Sequence, residues 1–461
     1  MKYYQEESRA IPVIETDVFI AGAGTAGCIA AIAAARAGAK VVLAEKMPVP
    51  GGTYTNGGIG TSSFFSAPKD ARQTIRIVDG IPYELAVRLE KEGGATGFIH
   101  TPKDDHRGGY RFVGDHEVYK AVISEMLMEA GVTVYLQTMF CGVVMDGPRI
   151  QAALLENKDG RQAVFAKQYI DATGDGDIAK FAGVEQIENW QNYDQVCGGP
   201  TGLVFGMAGV DFDRLLSENE DAVRISYQKP AADGTPTLKL TFCHLRDPER
   251  YKPLADLDIN FFTGIQSIHP GEATYINNSK GVKIDASKAE DLSMAEMKLR
   301  IKILRMAQAF KACVPGFEHA YLSWAATQIG IRASKVTVCD KTITTEEISN
   351  AARFDDEIGL YAFHDLAPKK PELFARDPGF YGFPYRMLLA KGCDNLFMAG
   401  RCVTEDIQAH MSTRNTVGCM VMGQGAGVAA ALCAQAGCGT RQLEYPKLKK
   451  GLLEQNVILD I

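Results

Sequence analysis

The chain has 461 residues, 46% of them hydrophobic and 23% charged, and a net charge of −7 from 49 basic and 56 acidic side chains. Single cores stop growing near ~250 residues, so two or three units are expected, and the balance excludes a disordered, collagen-like or nucleic-acid-coating chain. Glycine is the outlier at 46 residues, well above the usual ~7% of a chain; without a repeat period, such an excess marks tight turns and close approach of backbone to a ligand.

The opening MKYYQEESRA holds no apolar targeting core. The eleven cysteines are scattered without a C-x-x-C pair, so buried thiols and a cytoplasmic, reducing setting are expected. Stretches 18–35 and 415–440 carry no charge and are long enough to cross a membrane. Their glycines fit cofactor-contacting segments better, and no membrane span is expected.

In chain order, residues 16–21 read as a buried strand and Gly22-Ala23-Gly24-Thr25-Ala26-Gly27 as the turn after it. Residues 28–37 read as an alanine-rich helix stopped by Gly38, and 40–45 as a second strand. This β–α–β unit is the context in which G-x-G-x-x-G signals a dinucleotide. Gly22 makes the tight turn, Gly24 admits a pyrophosphate, and Gly27 lets helix and strand pack closely. The helix amino terminus at Thr25 and Ala26 offers N–H groups and a positive dipole end to the phosphates. Glu45, with Lys46 beside it, ends the second strand where a carboxylate accepts from a ribose diol and repels a 2′-phosphate. The motif does not separate FAD from NAD.

A second glycine-rich stretch follows at 51–60, with Gly51, Gly52, Thr53, Gly57 and Gly58 as further cofactor contacts. Such backbone can pass close to a bulky flat ring, which a simple NAD domain does not need. Here the chain resembles FAD-dependent oxidoreductases of the two-dinucleotide-binding-domain superfamily, which commonly carry an acid followed by a Gly-Gly turn.

A helix over 116–130 and a strand over 132–136 are predicted next, then Met139 and Phe140, and short strands over 141–146, 150–156 and 162–166. Ala172-Thr173-Gly174 matches the strand end that passes beside FAD in the superfamily. The extension Asp175-Gly176-Asp177 resembles a narrower branch related to fumarate-reductase and succinate-dehydrogenase flavoproteins. On the residues alone, Asp175 and Asp177 read as solvated helix caps; the resemblance makes Asp177 a cofactor contact as well. Residues 394–401 give a third match, a strand running into Gly400. Arg401 stands where disulfide-reductase relatives have an acid. Gly418, Gly423 and Gly425 lead into a predicted helix over 428–436, and the resemblance implies a helix amino terminus aimed at the flavin N1/O2 edge.

The resemblance implies an α/β fold. A Rossmann-like FAD-binding domain, a parallel sheet with a three-stranded β-meander, would comprise 1–75, 107–195 and 385–461. An inserted α+β substrate domain would comprise 76–106 and 196–384. Within it, helices over 210–223 and 293–312 and strands over 238–242, 257–262 and 273–277 are predicted. The FAD is expected to be held non-covalently. With no C-x-x-C after the first motif and no second nucleotide unit, a dithiol mechanism and a separate NAD(P) domain are excluded. Cys243-His244 is too small a set for a metal, and none is expected.

Flavin dehydrogenation needs a path for hydride to N5 and a group that moves a proton. His410, in a polar loop over 402–412, is the first candidate for acid/base work, the alternative being a packing histidine. Arg414 is a candidate clamp for a substrate carboxylate, the alternative being an ion pair with an acid of the chain. Tyr385 is a candidate to polarise a substrate oxygen, and His364, beside Asp365, a candidate oriented imidazole. Arg332, in Gln328-Ile329-Gly330-Ile331-Arg332, resembles a short arginine motif of the narrower branch, which implies a substrate or flavin contact. The leading reading is hydride transfer between flavin N5 and a small organic substrate, acidic or hydroxylated, in either direction. The alternatives are an electron-transfer subunit of a larger complex and an NAD-dependent dehydrogenase. Expected partners are that substrate, a soluble electron carrier or redox protein, and a further copy of the chain, but no nucleic acid.

Overall fold

The computed structural model describes residues 10–63, 65–68, 74–101, 109–189, 191, 201–230, 236–278, 280–362 and 377–461. Strand β1 (Val13–Ala21), helix α1 (Thr25–Arg36) and strand β2 (Val41–Ala44) form the expected β–α–β unit. Helix α2 (His116–Glu129) leads into β3 (Thr133–Tyr135). The meander follows as β4 (Met139–Asp146), β5 (Arg149–Asn157) and β6 (Gly160–Asp171). Strand β6 runs unbroken for 12 residues, longer than its predicted stretch. Its first half pairs antiparallel with β5, whereas its second half pairs parallel with Leu396–Met398 of a late strand.

The sheet order is β3-β2-β1-β6, with the meander and the late strand sharing the far edge of β6. Register places Tyr135, Ala44, Ala21, Asp171 and Met398 in one row. The carboxyl ends of five strands therefore open on one side, the side where ligands bind open α/β sheets. Short helix α3 (Asp177–Phe181) leaves that edge after β6.

A second, antiparallel sheet follows. Its strands are β7 (Phe205–Ala208), β8 (Val223–Pro230), β9 (Pro236–Cys243), β10 (Phe262–Ser267), β11 (Glu272–Asn277) and β12 (Tyr321–Ala325), in the order β8-β9-β10-β11-β7-β12. Helix α4 (Ala289–Cys313) covers it, burying Leu299, Ile303, Met306 and Phe310 against Phe205, Leu240, Phe242 and Ile276. Two predicted elements differ. The helix expected over 210–223 is confined to Phe212–Ser217, after which the chain turns into β8. The strand expected over 257–262 begins at Phe262, because the preceding residues form a loop held by Asn278 side-chain bonds to the Asn260 backbone.

The late strand, β13 (Leu396–Met398), is followed by α5 (Ile407–Thr413) and α6 (Thr416–Ala436). Uncharged and buried all round, α6 is a core helix; 94% of its most apolar window is covered. Two of its glycines face α1. A Cβ on Gly423 would lie 2.3 Å from the Ala26 carbonyl oxygen, and one on Gly427 would lie 2.2 Å from that of Ala30. The two helices therefore run parallel in near backbone contact. The apolar core divides differently from the expected domain boundaries. Ile81, Leu85 and Leu89, and likewise Ile343, Ile348 and Ile358, pack with the nucleotide-sheet core rather than with the second sheet.

Candidate functional site

One cleft of about 1330 Å³, mouth included, runs along the carboxyl edge of the first sheet. At β2, Glu45 anchors it. The N–H of Ala23 donates to Glu45 Oε2 at 2.7 Å and that of Met47 to Oε1 at 2.9 Å. Burial raises this carboxyl against those two bonds. Each oxygen retains a lone pair, the acceptors a ribose diol requires. Lys46, Met139, Phe140 and Asp177 complete this end.

The middle of the cleft is the α1 terminus. Gly24 caps it with no side-chain bond, and a Cβ placed on Gly24 would meet nothing within 4 Å. Open space therefore stands before uncapped N–H groups, a seat for a diphosphate. Gly22, Thr25, Ala26, Gly52 and Thr53 lie alongside, as do Ala172, Thr173, Gly174, Gly400 and Arg401 on the β6 and β13 side. Fully buried Asp171 shapes that side. It accepts the N–H and hydroxyl of Thr173 at 3.1 and 2.7 Å and the N–H of Ala179 at 3.0 Å. Burial first, and Asp177 second, push its carboxyl up to about 6.

Asp175 is no solvated cap. It accepts from Arg401 Nη1 at 2.8 Å and from the Ser334 hydroxyl. Burial pushes its carboxyl up, but the Arg401 charge and bonds outweigh burial and hold it below the usual range. Arg401 is thereby fixed as a cation in the cleft wall.

The far end is built by α6. Since Gly423 faces Ala26, α6 begins about six residues further out than α1, or ~9 Å at helical rise. Asn415 holds the N-cap position without a side-chain bond to the helix, and Arg414, Asn415, Thr416 and Cys419 line the cleft beside Ile59, Gln328 and Ile331. A helix terminus does face the cleft here, but it starts at Thr416 rather than 428. Burial, and next the Glu405 carboxylate, push the Cys419 thiol up to about 12.

Several expected contacts fall outside the cleft. Gly418, Gly423 and Gly425 are buried within α6, where Cβ atoms would strike Thr413 O, Ala26 O and Ile358. They serve close packing. Gly27 sits under the Gly22 carbonyl, as expected of the packing glycine, and makes no cleft wall. Gly51 donates to Ala23 O at 2.7 Å, tying this stretch to the first glycine turn, and Gly57 closes the turn over Thr53; neither lines the cleft. Gly58 makes room for Trp324 of β12, whose ring a Cβ would approach to 2.6 Å. That part of the glycine stretch seats the second sheet.

Among the catalytic candidates, Arg414 lines the cleft. His410 does not; it lies on α5, not in a loop, and is 1% exposed. Tyr385 is buried, its hydroxyl donating to Thr440 O at 2.6 Å, so it faces no substrate. Arg332 lies just outside the lining residues, with Nη1 donating to Thr201 O at 2.8 Å. His364 lies outside the described residues.

Gln328, Ile331, Asn415, Thr416 and Cys419 were not anticipated. Asn415 carried a signal, a capping residue before a long apolar helix. Gln328 and Ile331 lie in the short stretch 328–332, which the sequence singles out only for Arg332, and Thr416 and Cys419 follow Asn415 on α6. The cleft as a whole fits FAD: ribose acceptors at one end, an open uncapped helix terminus in the middle, and a second helix terminus beyond it.

Among curated protein sequences none matches. Solved structures to which the chain is similar include a geranylgeranyl bacteriochlorophyll reductase-like protein from Thermoplasma acidophilum, at 13% identity over 97% of this chain and 85% of that one, TM-score 0.48. GidA from Aquifex aeolicus is similar at 14% identity over 92% and 64%, TM-score 0.49. The anhydrotetracycline hydroxylase OxyS from Streptomyces rimosus is similar at 12% over 96% and 66%, TM-score 0.45. A family model described as FAD dependent oxidoreductase matches residues 17–452. With the cleft's fit to the cofactor, that match places the chain in the FAD-dependent oxidoreductase family, with FAD as its cofactor.

Proposed function

We propose that the protein transfers a hydride between a small carboxylic or hydroxylated compound and flavin N5, in the cytoplasm, within the branch related to fumarate-reductase and succinate-dehydrogenase flavoproteins. The observation that carries this reading is Arg414 in the cleft wall, next to the amino terminus of α6. When bound, FAD supplies the hydride acceptor or donor. Arg414 holds the substrate's anionic group with its planar fork. The N–H groups and positive end of α6 stabilise negative charge that develops at this end of the cleft. Ile59 and Ile331 exclude water from the reacting carbon. The Cys419 thiol, pushed up to about 12, is no base at neutral pH and is a packing group of the wall.

The 51–60 turn touches the second sheet where Gly58 makes room for Trp324 of β12. Tyr275 of β11 donates to Gly114 O at 2.7 Å, and the Trp324 ring lies 4.2 Å from that of His116. The second sheet with α4 is taken as the substrate domain, and the nucleotide sheet with α1 and α6 as the FAD domain. The test is anaerobic mixing of the flavin-loaded protein with small carboxylic and hydroxy acids, in both redox directions. Flavin bleaching or reoxidation by one member, slowed about 100-fold or more in Arg414→Ala, is expected. Equal rates in Arg414→Ala would remove Arg414 from the reaction.

A further inference from the structure

The buried pair Glu405 and His410 faces no substrate and belongs to no motif, yet it joins two walls of the cleft. Both side chains are 1% exposed. His410 Nε2 lies 2.9 Å from the Arg332 carbonyl oxygen, and Nδ1 lies 3.1 Å from Glu405 Oε2. A carbonyl only accepts, so Nε2 carries hydrogen and donates; a second proton lies between Nδ1 and the carboxyl group. Among the described residues, buried Glu405 Oε1 has no hydrogen-bond partner. Leaving a buried oxygen unpaired is unfavourable, so the arrangement is not explained by its own stability.

Each end of the pair leads to the cleft. Arg332 follows Gln328 and Ile331, which line the flavin end, and Ser334 two residues later bonds to Asp175 and Arg401 beside the diphosphate seat. His410 lies one helical turn before Arg414 and Asn415, which form the opposite wall. Segment 328–334 is thus pinned at Ser334 by Asp175 and Arg401 and at Arg332 by His410.

We propose that Glu405 and His410 are a positioning pair: Glu405 orients the imidazole, and the imidazole's N–H fixes the Arg332 carbonyl, setting the gap between segment 328–334 and the start of α6 that receives the flavin ring. Neither residue moves a proton in the reaction. The proposal rests on the flavin lying at this end, and its test separates the two. In Glu405→Gln the amide N–H can donate to Nδ1, leaving Nε2–H on Arg332. Glu405→Leu and His410→Phe keep comparable bulk and remove the link.

In cofactor-free protein, amide hydrogen exchange over 328–334 is expected to quicken about tenfold or more in His410→Phe and Glu405→Leu and to stay within about twofold in Glu405→Gln. In flavin-loaded protein, the two link-breaking variants are expected to weaken FAD binding about tenfold and to shift the visible flavin band, with both recovered in Glu405→Gln. Unchanged exchange in a folded His410→Phe, or a Glu405→Gln as damaged as Glu405→Leu, overturns the positioning role. Altered exchange with an unaltered flavin band and FAD affinity keeps the clamp but overturns its connection to the flavin end.

Discussion

Glu45 and Asp175 do opposite electrostatic work at either side of the diphosphate seat. Glu45 is an acceptor already spending one lone pair per oxygen on backbone N–H groups. Glu45→Ala removes the ribose acceptors and orphans the Ala23 N–H, and is expected to weaken FAD binding about 10- to 100-fold, roughly 1.5–3 kcal/mol, in a fluorescence titration. Asp175→Asn leaves the half-buried Arg401 without its counter-charge and is expected to destabilise by about 3 kcal/mol in urea unfolding. Asp171 gives a pH signature. Its native carboxyl sits at about 6, above the ordinary ~3.9 of an unfolded aspartate. The native state therefore binds the extra proton between those values, and the stability Asp171 contributes is full below ~pH 4 and lost as pH rises through 6. The cost of Asp171→Asn, measured by urea unfolding across this range, should therefore shrink by about 3 kcal/mol from pH 4 to pH 7. A cost that grows with pH would reverse the assignment. Residues of this kind were only partly legible in the sequence. Glu45 is marked by its place at a strand end, while Asp175 looks like any helix cap until Arg401, 226 positions later, is brought against it.

At the scale of elements, the contact of α1 with α6 decides where both helix termini point. Gly427→Ala puts a methyl 2.2 Å from the Ala30 carbonyl oxygen, and such overpacking typically costs about 1–3 kcal/mol. The expected outcome is a lower melting temperature together with weaker FAD retention, because moving α6 moves the wall at Thr416. Gly131→Ala is the control for glycine replacement, since its Cβ would meet nothing within 4 Å; its φ of +72° confines the cost to local strain. A Gly427→Ala protein with unchanged melting and FAD retention would contradict the close approach. The β–α–β unit was readable because alternation, glycine spacing and a terminal acid all agree within 30 residues. The start of α6 was not, because its glycines look like a ligand loop. In sequence, a glycine that admits another helix and one that admits a phosphate are identical; only the partner backbone tells them apart. The same ambiguity covered Gly58, which admits Trp324.

At the scale of the whole molecule, one cleft is closed by segments from across the chain: β–α–β at the start, the turn after β6, residues 328–331 after the second sheet, and the start of α6. Fold class and cofactor could be read from local motifs because each nucleotide contact is a short segment with its own geometry. The catalytic end could not, because its residues come from separate stretches with no spacing rule. His410 shows the limit. Its type and neighbourhood fit acid/base work, yet folding turns it inward onto Glu405 and Arg332. The central claim is that Arg414 and the start of α6 receive an anionic or hydroxylated substrate against the flavin. The most direct measurement is the anaerobic rate of change of flavin absorbance near ~450 nm, for wild type and Arg414→Ala, across a panel of small carboxylic and hydroxy acids. One class of these compounds is expected to change the band in wild type and to do so at least about 100-fold more slowly in the variant. A flavin that no such compound reduces or reoxidises, or one that responds equally in both proteins, would contradict it.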